Sequence, residues 1–315
     1  MQRRQFLEAA AAMALARPAW AAPNSITAVK TGGVRMIAVP GGKVWTKAVG
    51  PKPNVLLLHG GPGASHDYME CFEDFLPPRG LGFYYYDQLG CGNSEHPNDD
   101  KLWTIARYVE EVEVVRKNLG LDRFILLGHS WGGMLAIEYA LKYQQHLSKL
   151  VISNMTAGIP AYVEHARVMR AALPLADRAT LDKYEALNKT DAPAYLAVMD
   201  KIYHAHVLSL KEWPEPVTRA FTRTNQHIYN VMQGPNEFVI TGTLKNWDRW
   251  KDLPKIKTPT LVMGAQNDEM DPAQIRHEAS LIPGAHLWMS NSGTHLAMYD
   301  DQQAYFGALL AFLKA

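Results

Sequence analysis

The chain predicts an α/β fold in which a mostly parallel sheet is covered by helices on both faces and interrupted by a helical insertion. Three observations carry this. Short apolar runs recur at 55–58, 124–127, 150–152 and 260–263, with the length and character of strands buried on both faces. Stretches at helical spacing lie between them, as with Tyr108, Val112, Val115 and Leu119. Several of the runs stop in glycine-rich loops, and the carboxyl ends of strands are where such sheets bind ligands.

The 315 residues and 47% hydrophobic content suit one large domain with an insertion. A net charge of +1 leaves no basic footprint for nucleic acid. At the start, Arg3-Arg4-Gln5-Phe6-Leu7, an alanine-rich stretch and Ala19-Trp20-Ala21 resemble a twin-arginine export signal, so residues 1–21 are expected to be removed and the mature chain to be periplasmic or secreted. The apolar stretch 6–16 is shorter than the roughly 20 residues needed to span a bilayer, and no other segment is a candidate span. Two cysteines, Cys71 and Cys91, are too few for a disulfide framework. Cys91 lies in a glycine-flanked loop and is read as a small structural residue rather than a reactive thiol.

Residues 26–39 and 43–49 read as two antiparallel strands joined at Pro40-Gly41-Gly42, at the sheet's edge. The strand 55–58 runs into His59-Gly60-Gly61-Pro62-Gly63, where glycines let backbone N–H groups face a ligand. Residues 67–76 can be helical, and 83–86 form a strand that ends at Asp87. The run 124–127 stops at Gly128-His129-Ser130-Trp131-Gly132-Gly133 and is followed by helix formers to Tyr143, which puts Ser130 at a strand-to-helix corner. From 158 to 241 the pattern is helical and broken by prolines, an insertion placed to sit as a cap over a core made of 22–157 and 242–315. Within it His204 and His206 have no third ligand at metal spacing and are read as packing residues. The strand 260–263 leads to Asp268, the strand 286–289 to His295, and a closing helix spans 301–313.

Serine, acid and histidine thus occur as Ser130, Asp268 and His295, each just after an expected strand, which is the chain order of the α/β-hydrolases. A hydroxyl is a poor nucleophile without a base, and the base needs an orienting carboxylate. His295 is therefore expected to take the Ser130 proton, Asp268 to fix the imidazole, and the Gly61 and Trp131 amides to hold the oxyanion. Glu269 and Asp271 are rival acids. Asp268 is favoured by its closeness to the strand end, and Asp271-Pro272 reads as a helix cap.

Together with Asp87-Gln88-Leu89-Gly90-Cys91-Gly92-Asn93-Ser94 and Gly234-Pro235-Asn236-Glu237-Phe238, the two glycine motifs resemble the prolyl aminopeptidase (proline iminopeptidase) family over nearly all of the chain after the leader. The resemblance implies a serine peptidase that needs no metal or other cofactor and releases an N-terminal residue, often proline, from small peptides or amino acid amides. It also implies that Glu237 and Glu269 bind the substrate's free amino group. The export signal departs from the family's usual cytoplasmic setting. An amino acid amidase, a carboxylesterase and a non-catalytic ligand-binding protein on the same fold are the competing readings.

Overall fold

The computed structural model describes residues 31–315; the leader and the expected strand start at 26–30 lie outside the described residues. Eight strands in this region form one sheet: β1 (Thr31–Val39), β2 (Gly42–Val49), β3 (Val55–Leu58), β4 (Phe83–Asp87), β5 (Phe124–His129), β6 (Leu147–Ser153), β7 (Thr260–Ala265) and β8 (His286–Ser290). Their spatial order is β1-β2-β4-β3-β5-β6-β7-β8. β2 pairs antiparallel with β1 and β4, and the remaining pairings are parallel.

The short apolar strands lie in the middle because successive side chains point to opposite faces and both faces are covered. In β3, Leu56 and Leu58 enter one buried cluster and Val55 and Leu57 the other. The first cluster is closed by α1 (Ile105–Leu119) and α2 (Trp131–Tyr143). α1 is set by Thr104, whose hydroxyl accepts from the Arg107 amide at 3.3 Å, and by Gly120 at φ 69°. The second cluster includes residues of a 3-10 helix, His66–Asp74, and of the C-terminal α10 (Gln302–Lys314).

Five α-helices lie between β6 and β7: α3 (Ile159–Ala172), α4 (Leu175–Ala186), α5 (Pro193–His206), α6 (Glu215–Thr222) and α7 (Gln226–Met232). After β7 comes α8 (Pro272–Leu281), and the short α9 (Ala297–Asp300) precedes α10. The closing helix expected at 301–313 is α10, preceded by the separate short helix α9. One detail differs from expectation: the helix expected at 67–76 winds as a 3-10 helix. There the first turn bonds to other elements, since the His66 amide donates to Asp87 Oδ1 at 2.8 Å. No helix among the described residues is long and apolar enough to cross a membrane.

Candidate active site

Ser130 stands between β5 and α2 with φ 56° and ψ −128°, a strained conformation for a residue with a side chain. The glycines on either side are required sterically. A Cβ on Gly128 would lie 2.0 Å from the Gly132 carbonyl oxygen, and one on Gly132 would lie 2.1 Å from that of Leu58. The sharp corner therefore closes only with hydrogens at both positions, and it points the serine out over the end of β5.

The loop after β3 folds directly over this corner, since a Cβ on Gly60 would meet the Ser130 Cβ at 2.9 Å. The Gly60 amide donates to the Tyr68 hydroxyl at 2.7 Å, so of the two adjacent glycines it is Gly61, at φ 116°, whose amide is available. Gln88, at the end of β4, ties this loop to the nucleophile helix. Its amide nitrogen donates to the His59 carbonyl at 3.0 Å, and its carbonyl accepts from the Trp131 indole N–H at 2.8 Å. Trp131 is thereby pinned, and the two expected oxyanion donors share one clamp.

His295 Nδ1 is 2.8 Å from Asp268 Oδ1. Asp268 also accepts from the Met270 amide at 3.0 Å and, through Oδ2, from Asn154 Nδ2 at 2.6 Å. Asp271 turns away: its carboxylate accepts from the Ala273 amide and caps α8. Of the acids weighed from the sequence, Asp268 is the one bonded to His295 Nδ1, while Glu269 Oε1 lies 3.5 Å from Nε2 on the other side of the ring.

The His295 backbone is held by the end of α5. Its amide donates to the His206 carbonyl at 3.0 Å, and that of Leu296 to the Val207 carbonyl at 2.9 Å. From the other side, His129 Nε2 donates to the His295 carbonyl at 2.9 Å. A carbonyl can only accept, so the His129 proton is on Nε2, and Nδ1 accepts from the Tyr68 hydroxyl at 3.0 Å. Burial, reinforced by nearby His295, depresses the His129 pKa to about 3 and keeps it neutral.

Ser130, His295, Gly61, Trp131, Glu237 and Glu269 line one cavity of about 830 Å³, counting the part open to solvent. Its other walls are mainly apolar, among them Met134, Ile159, Phe221 and Leu244. Glu237 is presented by a tight turn. Asn236 accepts from the Phe238 and Val239 amides at 2.9 and 3.0 Å, and a Cβ on Gly234 would meet the Val239 carbonyl at 2.2 Å. The Tyr162 hydroxyl of α3 donates to the Glu237 carbonyl at 2.6 Å, and that of Tyr203 on α5 donates to its carboxylate Oε2. Glu269 is buried, and its Oε2 has no hydrogen-bond partner among the described residues. Burial raises its pKa, to about 8; His295 and, more weakly, the Tyr162 hydroxyl oppose this, while Glu237 and Asp268 add to it.

Other candidates resolve differently. Cys71 and Cys91 are free and buried, and burial pushes the Cys91 thiol well up, which suits a packing residue rather than a reactive one. His204 Nδ1 faces the Asp200 carbonyl at 2.9 Å and His206 Nδ1 that of Asn267 at 3.2 Å, so the two rings serve different partners. His66, Asp67 and Glu70 bring ligand atoms within 4.8 Å of one another, but His66 binds Asp87 and both acids pair with Arg219. Sequence reasoning missed Asn154, Tyr162 and Tyr203. It quoted Gln88 within a motif without reading its role.

A family model described as the alpha/beta hydrolase fold matches residues 53–302, and this agrees with the sheet order and the strand-end placement of the site. The chain is thus an α/β-hydrolase by fold. A proline iminopeptidase of Elizabethkingia meningoseptica is 45% identical over 280 residues, 86% of this chain and 94% of its own. Among solved structures, VinJ matches with a TM-score of 0.87 at 30% identity, covering 90% of this chain and 99% of its own. Proline iminopeptidase from Mycobacterium smegmatis matches with a TM-score of 0.81 at 30% identity, covering 90% and 98%. The chain belongs to the proline iminopeptidase family.

Proposed function

We propose that this protein is a serine exopeptidase that releases an N-terminal proline, or a small apolar residue, from short peptides or aminoacyl amides through an acyl-enzyme. The observation that carries the reading is the pair Glu237 and Glu269 in the wall of the cavity that also holds Ser130 and His295, with one Glu269 oxygen lacking a partner among the described residues. A desolvated carboxylate is costly unless a cation pairs with it. An N-terminal proline supplies a secondary ammonium with two N–H donors, matching two carboxylates.

Ser130 Oγ attacks the carbonyl carbon of the bound residue while His295 Nε2 takes its proton, and Asp268 stabilises the imidazolium. The oxyanion is held by the Gly61 and Trp131 amides; losing one such donor typically costs about 10²- to 10³-fold in rate. His295 then protonates the departing amine nitrogen. Water attacks the ester with His295 as base, and the free amino acid leaves.

The helices between β6 and β7 are read as a cap on the core of 22–157 and 242–315, because Glu237, Phe221 and Ile159 from that segment complete the cavity. A periplasmic or secreted site of action is proposed from Arg3-Arg4 and Ala19-Trp20-Ala21. The test is a panel of prolyl anilide, N-acetylprolyl anilide, prolinamide and a simple acyl ester assayed on the parent and on Ser130→Ala. Free-amine substrates are expected to be cleaved and the variant to be inactive. Equal cleavage of the N-acetylated anilide, or ester turnover far above that of all amides, would overturn the reading.

A further inference from the structure

Three carboxylates, Asp268, Glu269 and Glu237, surround His295, and among the described residues neither lysine nor arginine lines the cavity. His129, whose ring lies against that of His295, is neutral and donates to the His295 carbonyl, and the Tyr162 hydroxyl, which stabilises the charged form of Glu269, brings no charge of its own. The positive charge available to this buried cluster is therefore a proton on His295 itself or a cation brought by a ligand.

Geometry places that proton between two atoms. His295 Nδ1 carries a hydrogen toward Asp268 Oδ1 at 2.8 Å, so in the neutral ring Nε2 would present a bare lone pair. Glu269 Oε1 stands 3.5 Å from Nε2. A lone pair facing a carboxylate oxygen at that distance in a buried site is repulsive, and a proton between the two atoms removes the repulsion. Yet Nε2 is the nitrogen that must be proton-free to accept from Ser130.

Resting on the reading of this cavity as an amine-recognising site, we infer that Glu269 is a switch as well as an anchor: without substrate it holds a proton on Nε2 of His295, and the substrate's ammonium, by taking over that carboxylate, frees His295 to act as the base. One cation enters and one proton leaves Nε2 for solvent, so the charge of the cluster is conserved. The electrostatics agree in direction. Burial alone would lower the His295 pKa, but Asp268, then Glu269 and, more weakly, Glu237 raise it to about 9. Burial raises that of Glu269 as well, to about 8, and the ring, with Asp268 bonded to its Nδ1, is the stronger base of the two and keeps the proton they share. A blocked amine then fails twice, through weak binding and through a base left protonated, so selectivity appears in kcat as well as in KM.

The test reads the base without any aminoacyl substrate: the rate of Ser130 labelling by a small neutral fluorophosphonate, from pH 5 to 10. In the parent, labelling is expected to be slow at pH 7 and to rise with a midpoint on the alkaline side of neutrality. Glu269→Gln is expected to move the midpoint down by at least about one unit, which is roughly a tenfold gain at pH 7. Dimethylammonium chloride, a secondary ammonium with two donors, should speed labelling of the parent at pH 7, with sodium chloride as the control, and should not speed that of Glu269→Gln. This arm uses the intact parent and stands even if the variant folds poorly. An unchanged midpoint in a folded Glu269→Gln, or no acceleration of the parent at concentrations where dimethylammonium competes with prolyl anilide, overturns the switch. A parent that is labelled but cleaves no prolyl substrate defeats the exopeptidase reading instead, and its pH midpoint still decides the switch.

Discussion

Asn154 Nδ2 donates to Asp268 Oδ2 at 2.6 Å, and this orientation of the amide is fixed from behind. Ser153 Oγ donates to Asn154 Oδ1 at 2.8 Å and lies 3.0 Å from the Tyr305 hydroxyl, which supplies the donor in turn. A buried relay thus runs from α10 through the end of β6 to the acid that orients His295. In Asn154→Ala one oxygen of a buried carboxylate loses its donor. A hydrogen bond to a charged group contributes about 1.5–3 kcal/mol. If that loss is felt in the transition state, kcat falls by about 10- to 100-fold. KM is expected to change little, because Asn154 does not line the cavity. Steady-state kinetics on prolyl anilide would check this; an unchanged kcat would show that Asp268 is held well enough by the Met270 amide alone.

The same residues show how far the chain could be read unaided. Ser130, Asp268 and His295 were legible because each follows a short apolar strand, and local chemistry marks strand ends: the glycines at 128 and 132 answer a steric demand within the corner itself. Asn154 carries no such mark. A single asparagine after β6 looks like any loop residue, and its meaning depends on β6 lying between β5 and β7, which is topology rather than pattern. Gln88 is similar, since it can reach both His59 and Trp131 only because β4 lies beside β3. Tyr162 and Tyr203 sit on amphipathic helices where aromatic residues read as core, yet their hydroxyls hold Glu237. Glu237 itself was found through family resemblance, because one glutamate in a helical segment has no spacing to betray it.

Asp67, in the 3-10 helix of the core, grips the helix that walls the cavity. Its carboxylate lies 3.2 Å from Arg219 Nε and 3.0 Å from Arg223 Nη1, while Arg219 also reaches Glu70 at 2.6 Å. α6 carries Ala220 and Phe221 into the cavity lining. The arginines are about a third exposed, which weakens the pairs, but the buried carboxylate makes them more than surface contacts. Asp67→Asn is expected to cost about 1.5 kcal/mol, at the low end for hydrogen bonds to a charged group. That corresponds to a Tm lower by about 2–3 °C for a chain of this size. KM should rise several-fold as Phe221 loosens, with kcat within about twofold of the parent because the groups around Ser130 are untouched. Thermal unfolding and initial-rate kinetics measure both; no change in either would mean that α6 is held by its apolar contacts, such as Val217, alone.

Glu278 of α8 is fully buried, beside the buried Ile275 and Ala279 of the same helix, and neither carboxyl oxygen has a partner among the described residues. Burial holds its pKa well above the usual carboxylate range, so the folded chain keeps this proton at pH values where an ordinary carboxyl has lost it. The sign of the pH effect follows from proton counting. Below the unfolded pKa, near 4.5, both states carry the proton and the group adds no pH dependence. As the pH rises above that value the unfolded chain releases the proton while the folded chain keeps it, so stability falls by about 1.4 kcal/mol per unit until the folded pKa is reached. Glu278→Met fills nearly the same volume without an ionisable group. The variant is expected to match the parent most closely near pH 4.5 to 5 and to become progressively more stable than it toward pH 8. Urea unfolding of the two proteins across that range tests the point, because every other titrating group is common to both and cancels in the difference. A difference that stays flat with pH would mean that Glu278 ionises in place.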